Sequence, residues 1–193
     1  MRILGIDPGT ATSGYGVIDV NKGMIDVVGW GLIETDKNGS AANRLEAIYK
    51  GTGEIIKNFT PDVFVIEKIF FATNAKTAIA VGQAQGVMML SASKAKVKVA
   101  EYAPGTIKKM VAGDGRAKKK DIQKAVRRIL GNKVRSKNKK KTHFDNAADA
   151  LAVALCHYYK TNPTSPIRLR SGLCGAKGGL PHEALAKGGE NSG

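Results

Sequence analysis

Three acidic residues stand where a predicted buried element ends or begins. Asp7 follows an apolar run that starts at Ile3, and Glu67 follows a similar run over residues 63–66. Asp149 lies near the start of the last helix that the sequence predicts. A carboxylate at the end of a buried strand needs a cation, a metal ion or hydrogen-bond donors. Carboxylates gathered from two strands and one helix repel one another unless a hard cation such as Mg²⁺ holds them.

A cluster of this kind suits the hydrolysis of phosphodiesters. Two Mg²⁺ ions about 3.5–4 Å apart can activate a water molecule and stabilise the leaving oxygen. Simpler interpretations stay open at this point. Asp7 is also typical of a turn, since Pro8 and Gly9 follow it directly. Asp145 and Asp149 also suit the first turn of a helix, where the helix dipole favours negative charge.

The charge of the chain points to a polyanionic partner. Lys and Arg number 31 against 16 Asp and Glu, a net charge of +15 over 193 residues. Residues 116–141 contain thirteen Lys or Arg and one acid, Asp121. So uneven a segment exceeds what solubility requires, and it favours contacts with phosphate groups over a merely solvated surface. Nucleic acid is therefore a better candidate partner than a membrane surface.

Other classes of protein fit less well. No apolar segment approaches the ~20 residues that cross a membrane, and the chain enters its first strand without a visible signal peptide. Cys156 and Cys174 lack the spacing of a metal site, and Cys156 lies in an apolar helical pattern. These features predict a cytoplasmic protein with a buried, reduced thiol.

The elements that would position the acids form an α/β pattern. Hydrophobic periodicity predicts strands over residues 2–7, 14–20, 24–34, 62–67 and 97–102, and helices over residues 40–59, 74–93, 104–111, 118–130 and 145–159. The fourth strand follows a helical crossover, so we expect it to run parallel to the first. Asp7 and Glu67 would then end neighbouring strands. The order predicts a mixed sheet with helices packed against it.

Two segments allow less definite interpretations. The second helix carries small residues at Ala75, Ala78, Gly82 and Gly86, with Ile79 beside them. Such a stripe is typical either of a helix packed closely on its own sheet or of a helix-to-helix contact in a dimer. Residues 1–160 form one predicted domain, whereas residues 161–193 are rich in Gly and lack periodicity. We expect this tail to be mostly disordered.

The sequence motifs resemble one known family along about residues 1–160. The opening MRILGIDPGT (1–10) and the return GYG (14–16) resemble the RuvC family of bacterial Holliday-junction resolvases. Further matching motifs are IEKIF (66–70), NA (74–75), GQAQGV (82–87), EYAP (101–104), GRAKK (115–119) and ADAL (148–151).

The resemblance implies a fold, an activity and partners. It implies a ribonuclease-H-like fold with a mixed five-stranded sheet and helices on both faces. It also implies a homodimeric endodeoxyribonuclease that nicks four-way DNA junctions symmetrically in recombination and repair. Two Mg²⁺ ions per active site would serve as cofactors, with Mn²⁺ as a substitute. The expected partners are four-way junction DNA and the RuvA–RuvB branch-migration complex.

The family's acidic site matches this sequence at three of its four positions. Asp7, Glu67 and Asp149 match, whereas the fourth position, three residues before Asp149, holds Asn146. An amide keeps an oxygen ligand but loses the charge, so metal affinity should fall. Asn146 is either a natural variant, with Asp145 reaching the metal from the adjacent position, or a deliberate Asp→Asn change. The alternative function is a junction-binding protein whose site is weakened or inactivated by Asn146.

The resemblance also assigns DNA contacts. Lys108 and Lys119 match family lysines near the active site, and Arg116 and Lys118 belong to the basic segment. Phe70 matches a family residue that stacks on an unpaired base at the junction centre, although two adjacent aromatic residues also suit a core. The opening motif further resembles the phosphate loop of actin-like sugar kinases and chaperone ATPases. Those proteins need a second related domain, for which this chain has no room.

Overall fold

The fold is described from a computed structural model, over residues 1–69, 75–131, 141–163 and 168–169. Of residues 141–146 and 168–169 the backbone alone is described. Five strands form the main sheet. They are β1 (Arg2–Asp7), β2 (Thr12–Asn21), β3 (Met24–Glu34), β4 (Val63–Glu67) and β5 (Lys98–Tyr102).

The sheet is mixed, as the sequence predicts. Its strand order is β5-β4-β1-β2-β3, and a two-residue strand, β6 (Arg168–Leu169), extends it beside β3. The first three strands pair antiparallel, whereas β4 pairs parallel with both β1 and β5. In this register Ile6 lies opposite Ile66, so Asp7 and Glu67 end adjacent strands at the same end of the sheet. The prediction that the first and fourth strands are parallel neighbours is confirmed.

In the described part of the chain, five helices cover the two faces of the sheet. They are α1 (Ala41–Phe59), α2 (Ala75–Lys94), α3 (Pro104–Ala112), α4 (Lys119–Leu130) and α5 (Lys141–Thr161). The first two pack over a core that includes Leu4, Ile6 and Phe64. The other three pack over the opposite face, with Ile3, Ile18 and Val65 in the core. Because neighbouring strand residues point to opposite faces, alternate residues of each strand serve the two cores.

Local signals account for most helix boundaries. The Ser40 side chain accepts a hydrogen bond from the Asn43 N–H and begins α1, as the sequence predicts. Thr60 ends the same helix in the left-handed conformation, just before Pro61. The last helix differs from the prediction, because it begins at Lys141 and not at Asp145. Its first residues are mostly polar and carry no apolar period, so the hydrophobic pattern reveals only the later turns.

The buried face of helix α2 differs from the stripe of small residues noted in the sequence. Its buried residues are Ala84, Gln85, Met88, Ser91 and Ala92. A Cβ placed on Gly86 would meet no atom within 4 Å, and Ile79 is 65% exposed. Close packing of the whole stripe on the protein's own sheet is therefore wrong for these two residues.

The predicted disorder of residues 161–193 falls mostly outside the described part of the chain and stays a prediction. Residues 168–169 pair with Met24 and Ile25 of β3, and Cys156 is buried as a free thiol. Residues 164–167 and 170–193, with Cys174, lie outside the described part of the chain. Within the described part, no helix is both long and apolar enough to cross a membrane.

Candidate active site

The three predicted acids meet at the carboxyl ends of β1 and β4. Asp7 is the last residue of β1, and Glu67 is the last residue of β4. Asp149 comes from α5, which packs across β1 and β2. Burial raises the pKa of both Asp7 and Glu67; the charges of Glu67 and Asp149 add to the rise at Asp7, and the charge of Asp149 adds to the rise at Glu67. Each carboxylate therefore lies within electrostatic reach of the other two.

Two glycines allow α5 to come this close to the strands. Gly5 and Gly16 are register partners on β1 and β2. A Cβ on Gly5 would lie 2.2 Å from the Ala150 carbonyl oxygen, and a Cβ on Gly16 would lie 2.6 Å from Leu151 Cγ. Glycine inside a strand often marks such a close approach. The two glycines therefore let α5 pack directly against the backbone of β1 and β2 at Ala150 and Leu151, the residues that follow Asp149.

The turn after Asp7 is held by its own hydrogen bonds. The Gly9 N–H donates to Ser13 Oγ (3.1 Å), and the Ser13 hydroxyl donates to the Gly9 carbonyl (2.7 Å). The Thr35 hydroxyl donates to the Thr10 carbonyl at 2.8 Å, which ties the turn to the segment after β3. Pro8 and Gly9 therefore lead into an ordered turn that fixes where Asp7 ends its strand.

Burial and mutual repulsion make the charged forms of Asp7 and Glu67 unfavourable. Burial raises the pKa of Asp7 to about 7, with further contributions from Glu67 and Asp149. Burial likewise raises the pKa of Glu67, and the charge of Asp149 adds to it. Such strongly perturbed groups are concentrated at functional sites. A cation bound among the three carboxylates would relieve this repulsion.

Two lysines bring positive charge to the acids. Lys119, the first residue of α4, forms an ion pair with Asp149 (Nζ to Oδ2, 2.8 Å). Its charge also lowers the pKa values of Asp7 and Glu67, and Lys108 of α3 lowers that of Glu67. The structure thus brings together Asp7, Glu67, Asp149, Lys108 and Lys119, all of which the sequence singled out.

The other predicted site residues are placed less completely. Arg116 and Lys118 are exposed in the connection between α3 and α4, next to Lys119. Asp145 and Asn146 lie on α5 one turn before Asp149, but their side chains fall outside the description. Phe70 lies outside the described residues altogether.

The chemistry of this donor set fits a hard divalent cation. Three carboxylates offer the oxygen ligands that Mg²⁺ prefers, and their repulsion favours a bound positive charge. No three acid, imidazole or thiol groups among the described side chains already stand close enough to enclose a metal ion. Lys119 instead lies against Asp149. Metal binding would therefore need Asp149 to exchange this ammonium partner for the cation.

Sequence reasoning missed the structural support of the site. The close approach at Gly5 and Gly16 was visible only as glycines inside predicted strands, a signal that identifies no partner. The Lys119–Asp149 ion pair joins residues thirty positions apart. Nothing in the local sequence indicates it.

The sheet order, the helices on both faces and the acids at adjacent strand ends define a ribonuclease-H-like α/β fold with a carboxylate site. A family model described as crossover junction endodeoxyribonuclease RuvC matches residues 3–157. The chain belongs to the RuvC family.

Individual relatives agree with this assignment. The crossover junction endodeoxyribonuclease RuvC of Natranaerobius thermophilus is 43% identical over 157 residues, which cover 81% of this chain and 94% of that protein. The Thermus thermophilus RuvC structure is 32% identical with a TM-score of 0.73, and the match covers 86% of this chain and 98% of that one. A second structure, T. thermophilus RuvC in complex with Holliday junction substrate, has a TM-score of 0.74 at 30% identity, with coverages of 86% and 97%.

Proposed function

We propose that this chain is a structure-selective endodeoxyribonuclease that resolves Holliday junctions by nicking two strands symmetrically in recombination and repair. The observation that carries the proposal is the convergence of Asp7, Glu67 and Asp149 at one end of the sheet, with Lys108 and Lys119 beside them. Membership of a family of metal-dependent nucleases supports the same activity. The relatives' names and the junction complex of the Thermus protein support four-way DNA as the substrate.

The carboxylates are the proposed metal ligands. Asp7, Glu67 and Asp149 would hold Mg²⁺, two ions per site, and Mn²⁺ would substitute for it. Bound there, the ions would lower the pKa of a bound water, which would supply hydroxide to attack phosphorus, and would supply positive charge for the leaving 3′-oxygen. The raised pKa of Asp7, about 7 without metal, means that protons compete with the cation for this site. Metal binding should therefore weaken as pH falls below about 7.

The lysines have a separate proposed role at the scissile phosphate. Lys119 neutralises Asp149 before metal binds, and its side chain is 54% exposed. With a cation bound at Asp149, the Lys119 ammonium would turn toward the incoming phosphodiester. Lys108, whose charge acts on Glu67 from α3, flanks the same space. The two lysines would bind the phosphate and stabilise its developing negative charge.

Asn146 and Asp145 complete the proposed metal site. Both lie on α5 one helical turn before Asp149, and residues three or four positions apart share a helix face. Either the Asn146 amide oxygen or the Asp145 carboxylate would provide the remaining ligand. A neutral ligand at Asn146 predicts a weaker metal affinity than an aspartate there.

The basic surface beside the site is the proposed DNA path. Exposed cations follow one another from the α3–α4 connection along α4. They are Arg116, Lys118, Lys119, Lys120, Lys124, Arg127 and Arg128. Their opposite face is apolar and buried, with Ile122, Val126 and Ile129 in the core. Such a one-sided helix suits phosphate contacts, and Phe70 would stack on an unpaired base near the junction centre.

A homodimer would give the two cuts their symmetry. Ile79 and Leu90 are exposed on α2, at 65% and 50%, and exposed Gly86 lies between them. Gly86 lies about two helical turns after Ile79, and Leu90 lies about one turn after Gly86, so the three residues share one face of the helix. A second copy of the chain packed on this face would present a second active site to the opposite strand of the junction. The RuvA–RuvB complex as a partner and a cytoplasmic location also belong to the proposal.

A nicking assay on a synthetic four-way junction tests the function. We would compare the chain with Asn146→Asp in Mg²⁺ and in Mn²⁺, with a linear duplex as the control substrate. We expect both proteins to cut the junction and spare the duplex, and Asn146→Asp to need less metal. Cutting by Asn146→Asp alone would mean that Asn146 inactivates the site. Junction binding without cutting by either protein would contradict the nuclease and favour a junction-binding role.

A further inference from the structure

A hydrogen bond links the end of strand β5 to helix α5 behind the proposed metal site. The Tyr102 hydroxyl lies 3.0 Å from His157 Nδ1, and the two ring centroids are 5.9 Å apart. His157 is 8% exposed and Tyr102 is partly exposed, so this polar contact forms at the edge of the core. Burial and the charge of Lys98 lower the pKa of His157. The imidazole is therefore neutral at physiological pH, and the contact is a directional bond between two neutral groups.

Tyr102 is fixed directly to the strand that carries Glu67. The two residues are register partners in the parallel pair β4–β5, and side chains of such partners lie on the same face of a sheet. The Lys68 N–H, directly after Glu67, donates to the Tyr102 carbonyl at 2.8 Å. The position of the Tyr102 hydroxyl is thus set by the same backbone that sets Glu67.

His157 is fixed just as directly to Asp149, because both belong to α5. Eight residues separate them, a distance of about 12 Å along a rigid helix. Any rotation of the helix at His157 is therefore passed to Asp149. The hydrogen bond joins the element that carries Asp149 to the strand that carries Glu67.

Packing and hydrogen bonding both restrain the rotation of α5. All seven residues between Asp149 and His157 are buried, and three of them are alanines, whose Cβ atoms lie close to the helix axis and resist rotation least: Ala150, Ala152 and Ala154. Gly5 and Gly16 fix how deeply the helix lies. Side-chain atoms stand about 5 Å from a helix axis, so a rotation of about 20° would move the Asp149 carboxylate by about 2 Å. Mg²⁺ requires ligand distances close to 2.1 Å, so a shift of this size would disrupt binding.

We propose that the Tyr102–His157 hydrogen bond restrains the rotation of α5 and thereby holds the backbone of Asp149 beside Glu67, so that the Asp149 carboxylate can exchange Lys119 for a metal ion shared with Glu67 and Asp7. Tyr102 and His157 are positioning residues, which act on the metal through Glu67 and Asp149. The inference depends on the metal site proposed above.

Removal of one hydroxyl is the direct test. Tyr102→Phe keeps the ring and loses the bond. We would measure Mn²⁺ affinity by calorimetry without DNA, and then the Mg²⁺ concentration that gives half-maximal junction cutting. Partners that orient metal ligands change metal affinity by about tenfold. We expect about tenfold weaker binding in both measurements, with a cutting rate at saturating Mg²⁺ within about twofold of the unmodified chain.

The matched control is Tyr158→Phe on the same helix. Tyr158 is 1% exposed, and its hydroxyl has no hydrogen-bond partner among the described residues. This variant loses the same group from the same core without breaking a bond to β5. We expect its Mn²⁺ affinity to equal that of the unmodified chain.

Two substitutions at His157 separate the bond from the packing. His157→Asn places an amide near the position of Nδ1 and can restore the bond to Tyr102. His157→Leu has a similar size and cannot restore it. We expect His157→Asn to keep most of the Mn²⁺ affinity and His157→Leu to lose it to the same extent as Tyr102→Phe.

The outcomes distinguish this inference from the proposed function. Asp7→Asn is included in the calorimetry as a reference. If Asp7→Asn loses Mn²⁺ binding but Tyr102→Phe and His157→Leu retain it, the hydrogen bond does not position Asp149 and the inference is wrong, even if both variants melt at lower temperature. If Asp7→Asn binds Mn²⁺ as the unmodified chain does, the metal site is wrong and the inference falls with it.

Discussion

The two ends of the central strands use carboxylates in opposite ways. At the amino end of β1, the Arg2 guanidinium donates to Asp19 Oδ1 and Oδ2 at 2.9 and 2.7 Å and to the Phe59 carbonyl at 2.6 Å. The Arg2 backbone N–H donates to Asp62 Oδ2 at 2.6 Å. At the carboxyl end, Asp7 and Glu67 carry pKa values raised by burial and by neighbouring acids.

The difference separates a structural use of acids from a functional one. The acids around Arg2 have their partners in the fold, so they connect β1, β2 and the start of β4. The acids around Asp7 are gathered without enough positive charge, and Lys119 offsets a part of their repulsion. Clusters of acids with strongly raised pKa values are typical of functional sites, where a bound cation or substrate offsets the repulsion.

The largest change in stability is expected where α5 packs against β1. Gly5→Ala would place a Cβ against the Ala150 carbonyl, so the helix must move or the strand must bend. We expect a loss of about 3 kcal/mol in the free energy of unfolding, measured by urea denaturation. The control is Gly105→Ala in α3, where a Cβ meets nothing within 4 Å and should stabilise by about 0.5 kcal/mol. Equal effects at the two glycines would contradict the close approach of α5.

The next change has the opposite sign. Without metal, Asp7→Asn removes a buried charge whose pKa is about 7 in the fold against 3.8 in the unfolded chain. The penalty is absent below pH 4, grows between pH 4 and 7, and is complete above pH 7. The difference in pKa corresponds to roughly 4 kcal/mol, and relaxation of the fold and solvent around the charge reduces it. We therefore expect Asp7→Asn to stabilise the protein by about 2 kcal/mol at pH 8 and by nothing at pH 3.5. The free energy of unfolding of both proteins would be measured by chemical denaturation at each pH. A difference between them that stays constant from pH 3.5 to pH 8 would contradict the electrostatic cause.

A smaller loss is expected at the structural end. Arg2→Met removes the hydrogen bonds to Asp19 and Phe59 and leaves the carboxylate without its partner. Because the ion pair is about one-third exposed, solvent screening limits the loss to about 1 kcal/mol. Junction cutting at saturating Mg²⁺ should stay unchanged. A large loss of cutting without unfolding would show that the two ends are coupled.

The smallest change is expected on the outer surface of α1. Lys50 and Glu46 form an ion pair of 2.6 Å, with both side chains more than half exposed. Glu46→Gln should cost about 0.3 kcal/mol, and this cost should disappear in 1 M salt. The same urea titration would measure the loss. A loss above about 1 kcal/mol would contradict the expectation that exposed ion pairs contribute little to stability.

Sequence patterns predicted the elements of the fold better than their faces. Strand β4 and its parallel neighbour follow from an apolar run after a helical crossover, a local signal joined to a general rule. The start of α5 was placed four residues late, since its first turn carries no apolar period. The sequence also left open which face of α2 is buried, because small residues fit either a close contact within the chain or one between chains.

The site was predictable in its acids but not in its support. Asp7, Glu67 and Asp149 stand out by type and by their place at the ends of elements, and motif resemblance reinforced them. The ion pair of Lys119 with Asp149 and the bond of Tyr102 with His157 join residues far apart in the chain. Such pairs depend on how α4, α5 and β5 pack in three dimensions. No single segment of the sequence encodes that packing.

The measurement that tests the central claim most directly compares one substitution at the two ends of the strands. Asp7→Asn and Asp19→Asn make the same chemical change, and each would be assayed for cutting and binding of a four-way junction in Mg²⁺, in the unmodified chain and together with Asn146→Asp. We predict that Asp7→Asn lowers cutting at least about a thousandfold with junction binding retained, whereas Asp19→Asn cuts normally. Unchanged cutting by Asp7→Asn would contradict the carboxylate site.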